Sequence, residues 1–182
     1  MVSLDKKKYY ENRLKRVACS SAAEARQALG EREWKTFEAL CELESITPPH
    51  FGSKTKLSII DAGCGDQYIK AAAERRGYVY RGIDADMLNF ESDVWDVDDQ
   101  SCEVVFSLAV LEHLVTPALF ISEIFRVLKP GGIAFLSTPN WRYSYLKFFD
   151  DPTHVRPYTP ASIERLFSVH EFQDIETFPG AR

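Results

Sequence analysis

A chain of 182 residues that is 45% hydrophobic and 27% charged suits one domain with an appendage. It buries roughly 70% of its unfolded surface, so it needs no disulfide or metal staple. The net charge of −5 disfavours whole-surface binding to nucleic acid, and no uncharged apolar run approaches the roughly 18 residues of a membrane helix. The start, MVSLDKKKYYENRLKR, lacks the apolar segment of a signal peptide. Cys19, Cys41, Cys64 and Cys102 form no CxxC pair, so neither a zinc site nor a disulfide framework is indicated. The expectation is a reduced, cytoplasmic protein without an integral membrane segment.

Residues 1–16 carry six cations against Asp5 and Glu11, a local +4 that leaves −9 for the rest. This fits either an anionic partner or the solvated face of a terminal helix. Residues 5–45 read as helix, with Gly30 predicted to separate two segments. Trp34, Phe37, Leu40 and Cys41 fall on one helical stripe. Pro48, Pro49, Gly52 and Ser53 mark a break. Residues 1–55 are therefore expected to form a helical amino-terminal cap, too short for its own core, with the main domain at 56–182.

From residue 56 strands and helices alternate. Leu57–Ile60 reads as a strand ending at Asp61, Asp66–Arg76 as a helix stopped by Gly77, and Tyr78–Ile83 as a strand ending at Asp84. Val104–Leu108 is a third strand. Thr116 and Pro117 are expected to cap and open a helix that stops at Lys129-Pro130-Gly131-Gly132. Ile133–Ser137 is the next strand, Thr159 and Pro160 open another helix to about Val169, and Phe172–Phe178 reads as a last strand. The alternation predicts an α/β doubly wound, mostly parallel sheet, with its ligand beyond the carboxyl ends of the strands.

Asp61-Ala62-Gly63-Cys64-Gly65 ends the first strand with two glycines that permit a tight turn and close approach of a ligand. Asp84, two residues after Gly82, can accept hydrogen bonds from both hydroxyls of a ribose. An ordinary strand–turn–helix glycine pair is the plainer alternative. The third glycine of a dinucleotide fingerprint is replaced by Tyr68, which weakens a nicotinamide-dependent oxidoreductase reading, and no G-x-x-x-x-G-K-[ST] loop occurs. A phosphate-free adenosine cofactor, S-adenosylmethionine, fits better.

The segments IIDAGCG (59–65), RGIDAD (81–86), CEVVFSLAVLEHL (102–114) and ALFISEIFRVLKPGGIAFLSTPN (118–140) resemble class I S-adenosylmethionine-dependent methyltransferases. The likeness is to the small-molecule type, which includes enzymes of quinone and of polysaccharide and lipid biosynthesis. The resemblance implies a Rossmann-like sheet and a methyltransferase activity with that cofactor. It places Asp61, Gly63 and Gly65 at the methionine part, Asp84 and Ala85 at the ribose, and Asp93 and Val94, with Trp95 nearby, at the adenine. Ser107 and Leu108 fall near the sulfonium. The chain departs from the family in four places, one being Glu171-Phe172 where a Gly-Phe pair usually opens the sixth strand. A frequent third glycine is replaced by Gln67, the stretch between Asp84 and Asp93 is short, and no sequence remains after Arg182 for a final antiparallel strand. Either the sheet is one strand short or the chain is truncated.

An alcohol acceptor needs a general base, for which histidine is best suited near neutral pH. His154, within the DPTHVRPYTP stretch, is the candidate base and His113 of the LEH pattern a second catalytic or supporting residue. Arg156, Asn140 and Tyr158 are assigned to the substrate, and His50 and His170 to the surface. Asp150, Asp151 and His154 in one loop are too little to assign a metal. No motif of DNA-adenine or cytosine methylation occupies the expected places, so nucleic acid is disfavoured as a partner. A small molecule with a sugar, lipid-linked or quinone-type hydroxyl is favoured. The alternative is a catalytically inactive cofactor-binding scaffold. The amino-terminal helix, with Tyr9, Tyr10 and Trp34, lies either over the pocket as a lid or on the sheet, and an open sheet edge would suit a homodimer.

Overall fold

The computed structural model describes residues 20–46 and 57–178. Four strands, β1 (Leu57–Ala62), β2 (Tyr78–Ile83), β3 (Cys102–Leu108) and β4 (Leu128–Ser137), form one parallel sheet in the order β2-β1-β3-β4. The chain moves outward from β1 to β2 and then crosses back to β3 on the other side of β1. The order therefore reverses between β1 and β3, where open α/β sheets hold their ligands. β1 and β3 are the apolar inner strands, with Ile59, Ile60, Val104, Val105 and Phe106 all buried, as a sheet covered on both faces requires.

One face is covered by α1 (Ser20–Leu43) and α2 (Lys70–Arg75). Trp34, Phe37 and Cys41 of α1 are buried against Ile59, Tyr78, Val104 and Phe106. The Trp34 ring stacks on Phe106 with centroids 5.0 Å apart, and Phe37 meets Phe106 edge-on at 5.1 Å. Trp34 thus covers the sheet; Tyr9 and Tyr10 lie outside the described residues. The opposite face is covered by α3 (Ala118–Val127), through Phe120, Ile121, Ile124 and Val127, and by Phe167 of α5 (Pro160–Ser168). Trp95 belongs to this second core, edge-on to Phe90 and Phe120. Among the described residues no helix is long and apolar enough to cross a membrane.

Several local expectations are corrected. Gly30 does not divide the helix: α1 runs through it. A Cβ there would meet the Tyr68 carbonyl oxygen at 2.1 Å, so glycine serves close approach of α1 to the turn after β1. The helix expected over 66–76 is only Lys70–Arg75, preceded by turns. Thr116 does not cap α3. Pro117 holds that place, and the Thr116 amide and hydroxyl donate to Glu91 Oε1 at 2.6 and 3.0 Å. The Lys129–Gly132 stretch ends the helix but also lies within β4, where the chain advances from Leu128 to Ile133 while β3 moves only from Cys102 to Val104. Thr159 caps α5 as expected, in a reciprocal pair with Ser162.

Residues 172–178 are not a strand. Left-handed φ values of 66° at Glu171 and 51° at Asp174 break an extended run. Phe172 instead packs edge-on against Phe125 and Phe167, with Ile175 beside the same core. Among the described residues the sheet has no antiparallel strand.

Candidate active site

The first half of the site grows out of the turn after β1. Its amides fold back on β2: Gly63 N and Cys64 N both donate to the Ile83 carbonyl, at 2.8 and 3.2 Å. Gly63 has φ 87°, and a Cβ there would lie 2.2 Å from Val110 Cγ2, so both conformation and space demand glycine. Gln67 keeps a left-handed φ of 56° without being glycine. The turn therefore holds a non-glycine residue in the left-handed region at a cost of roughly 1 kcal/mol or more. Arg26 of α1 grips this turn, forming two 2.7 Å bonds to the Asp66 carboxylate while its guanidinium lies 4.2 Å over the Tyr68 ring.

Asp84 sits at the end of β2, half-buried, and both of its oxygens face the turn. Oδ2 accepts from Gly65 N at 2.9 Å and Oδ1 from Ala85 N at 2.8 Å. Each oxygen keeps a second lone pair for an incoming hydroxyl. Burial raises its pKa, partly offset by the two amides, with Asp86 adding to the rise. Asp61 is only 2% exposed and accepts a 2.7 Å bond from the Tyr80 hydroxyl. Burial pushes its pKa up to about 7 against the help of Tyr80, and Asp84 and Asp66 push the same way. The crevice is thus a place where positive charge is favoured and further negative charge is not. At the end of β3 the Ser107 hydroxyl is buried without a protein partner, an orphaned group that a ligand can satisfy.

The other residues assigned to the cofactor lie apart in kind. Asp93 is exposed, closing its own turn by accepting from Asn89 N and Ser92 Oγ, both at 2.8 Å. The Asn89 amide holds its pKa below the usual range. Val94 is exposed and Leu108 half-buried.

The second half joins residues distant in sequence. A 3-10 turn at Leu111–His113 follows β3, and the loop after a second one, Phe148–Asp150, returns His154 to it. The imidazoles of His113 and His154 lie 4.8 Å apart, centroid to centroid. His154 Nδ1 lies 2.6 Å from the Phe148 carbonyl, which only accepts, so Nδ1 carries a proton and Nε2 the lone pair in the neutral ring. His113 reaches the same tautomer by another route. The Thr153 hydroxyl donates to Asp151 Oδ1 at 2.5 Å, so it can only accept from His113 Nδ1, 2.9 Å away; the Thr153 carbonyl lies 3.2 Å from the same nitrogen.

Near them Glu112 is buried at 1% exposure. Its Oε2 accepts from the Thr138 hydroxyl at 3.0 Å, and its backbone carbonyl accepts from Val155 N and Arg156 N at 2.8 and 3.1 Å. Burial raises its pKa; its own amide, Thr138 and His154 oppose this. Of the expected substrate residues, Tyr158 is buried with an unpartnered hydroxyl. Asn140 uses its side chain to cap the short helix α4 (Trp141–Ser144). Arg156 is exposed and donates to the Val115 carbonyl at 2.5 Å.

Sequence reasoning assigned no role to Glu112, Thr138, Thr153 and Arg26, and weighed Asp151 only as a metal ligand. Glu112 stands inside the LEH motif, and Thr153 beside His154, so the motifs did contain a signal for both. The pairing of Arg26 with Asp66, 40 residues apart, left none.

The chain matches the family described as a methyltransferase domain over residues 26–177. It is 32% identical over 144 residues to a probable S-adenosylmethionine-dependent methyltransferase of Mycolicibacterium smegmatis, covering 68% of this chain and 56% of that one. It is 30% identical over 109 residues to a ubiquinone biosynthesis O-methyltransferase of Rickettsia typhi, covering 50% of this chain and 44% of that one. The chain spans about half the length of these curated relatives. Its fold is shared with an S-adenosylmethionine-dependent methyltransferase of Archaeoglobus fulgidus (TM-score 0.59, 21% identity, 77% of this chain and 69% of that one). It is also shared with phosphoethanolamine N-methyltransferase 2 of Haemonchus contortus in complex with S-adenosyl-L-methionine (TM-score 0.57, 20% identity, 76% of this chain and 37% of that one).

Proposed function

The chain belongs to the S-adenosylmethionine-dependent methyltransferases, and we propose that it methylates a hydroxyl oxygen of a small acceptor held between the β3 end and the loop carrying His154. The observation that carries this reading is His154, whose Nδ1 is turned to the Phe148 carbonyl so that Nε2 is the basic nitrogen, with its ring beside that of His113. Such a pair, beside the strand ends where the cofactor would lie, can take the proton that an alcohol must lose. The similarity to ubiquinone biosynthesis O-methyltransferases supports an aromatic, quinone-type hydroxyl over a sugar.

The residues present suit the cofactor. Asp84 would hold the ribose hydroxyls through its remaining lone pairs, the Gly63–Gly65 turn would pass close to the ligand, and Ser107 would find its missing partner. Asp61 would face the cationic methionine part, in a crevice whose carboxylates would repel the phosphates of a dinucleotide. The bound cofactor supplies an electrophilic methyl group on a sulfonium. The protein's own work is to orient the acceptor, exclude water and accept a proton at a histidine nitrogen.

Calorimetry with S-adenosylmethionine, S-adenosylhomocysteine and NAD, followed by formation of S-adenosylhomocysteine with a panel of quinol, sugar and lipid-linked hydroxyls, tests the reading. Binding of the first two ligands, turnover with a quinol, and loss of that turnover in His154→Ala with cofactor affinity kept are expected. Cofactor binding without turnover on any acceptor would favour the inactive scaffold.

A further inference from the structure

The arginines of the described residues fall into two groups. Arg26, Arg32, Arg75, Arg76, Arg81 and Arg126 each pair with a carboxylate. Arg142, Arg156 and Arg165 do not, although the chain carries 27 acidic residues. These three are not scattered. Arg156 and Arg165 line one cavity of about 360 Å³ together with Tyr158 and Ser162. Arg142 lines a second cavity with Asn140 and Thr159. Both cavities border the amino-terminal turn of α5, whose dipole adds positive potential there. Two guanidiniums on one cavity repel each other, so holding them there without a carboxylate favours an incoming anion.

The site is anchored to the acceptor side. The Arg156 amide donates to the Glu112 carbonyl, and one guanidinium nitrogen donates to the Val115 carbonyl at 2.5 Å. This fixes the side chain two residues beyond His154 and leaves most of its five N–H donors for a ligand. The Ser162 hydroxyl is spent on the cap with Thr159, so recognition falls to the arginines. Tyr158 in the same wall is 4% exposed and its hydroxyl has no partner.

We infer that the methyl acceptor carries a phosphate or carboxylate, and that Arg156 and Arg165 clamp this oxyanion while its hydroxyl faces His154. Guanidinium forks match either group with paired hydrogen bonds. The inference rests on the proposed acceptor site and adds the charge of the acceptor. The two ligands are then sorted by sign: the carboxylates Asp61 and Asp84 stand at the strand ends, and the arginines stand beyond His154.

The test begins with calorimetric titration of the full chain with inorganic phosphate at low ionic strength. One site per chain is expected, weakened by about tenfold or more in Arg156→Gln and in Arg165→Gln, with S-adenosylmethionine affinity kept as the check that each variant is folded. Formation of S-adenosylhomocysteine is then compared for matched acceptors, a dihydroxybenzoate against catechol and a sugar phosphate against the free sugar. The anionic member of one pair should have kcat/KM about tenfold higher or more, and the pair that shows it tells carboxylate from phosphate. Arg165→Gln should remove that preference by raising KM rather than by lowering kcat, and Arg165→Lys should restore part of it. Phosphate binding that is missing, or unchanged in both glutamine variants, overturns the site, as does equal kcat/KM within both pairs. Arginine-dependent phosphate binding without turnover on any acceptor supports the oxyanion site and counts against the methylation reading instead.

Discussion

Replacing Asp61 by asparagine should stabilise the empty protein and weaken its grip on the cofactor, and both effects should grow as pH rises. Asp61 is buried at the carboxyl end of β1 with one hydrogen bond, from Tyr80. Burial lifts its pKa from 3.8 to about 7, so holding it ionised costs about 4 kcal/mol. Because the folded pKa lies above the unfolded one, the native state binds more protons between those values. The stability that protonated Asp61 confers is complete below about pH 4 and lost as pH rises through about 7. Asparagine keeps an oxygen for Tyr80 and carries no charge. Urea unfolding at about pH 5 and about pH 8 should show the variant more stable than wild type by about 2 kcal/mol at the lower pH and by about 4 kcal/mol at the higher. Cofactor binding runs the other way, because a cationic ligand selects the ionised carboxylate. Wild-type affinity should rise through about pH 7, by up to about tenfold per pH unit on the acid side, and the variant's should be low and flat. A variant less stable than wild type at about pH 8, or a stability difference that ignores pH, would refute the reasoning.

Asp84→Ala removes the acceptor for Gly65 N and Ala85 N as well as the proposed ribose contact, and should weaken cofactor affinity by about 1.5–3 kcal/mol in calorimetry. Unchanged affinity would remove Asp84 from the site. Trp34→Ala empties a position 1% exposed beneath α1 and should cost about 3–5 kcal/mol in urea unfolding. A negligible cost would mean that α1 is not docked on the sheet. Gly30→Ala decides between two readings by sign. In a free helix it would stabilise by about 1 kcal/mol, whereas contact with the Tyr68 carbonyl predicts a loss of about 1–3 kcal/mol.

Gly30 also shows where sequence reading stops. A glycine inside a helical pattern is a sound local reason to expect a break, but the contact that governs it comes from the turn after β1, on another element. The same holds for residues 172–178. Their aromatic and β-branched residues suit a strand, yet Phe172 and Ile175 reach the core by side-chain packing from an irregular backbone. Strands β1 and β3 were legible because an inner parallel strand is written as a near-continuous apolar run. β4 was half legible. Its apolar Ile133–Ser137 stretch was read, and its start at Leu128 was hidden by a proline and two glycines that serve an irregular register.

The two halves of the site differ in legibility for a related reason. The proposed cofactor side is made of strand ends, and each strand announces its own end: Asp61 and the glycines after β1, Asp84 after β2, Ser107 in β3. What the residues contribute there is largely fixed by the local chain, which is why even Gln67 holds the left-handed backbone. The acceptor side is made by contact across about forty residues. Glu112 and His113 belong to a motif that reads as scaffold, and His154 to a loop that reads as polar. Only their meeting brings a buried carboxylate close to two imidazoles. Thr153 links the two parts: its hydroxyl donates to Asp151 and accepts from His113, so one side chain of the second loop sets the protonation of a ring in the first. The chemistry of the acceptor side is therefore a property of the 151–154 loop as much as of the LEH motif. Altering that loop should change what the site does to an acceptor while leaving cofactor binding at the strand ends intact.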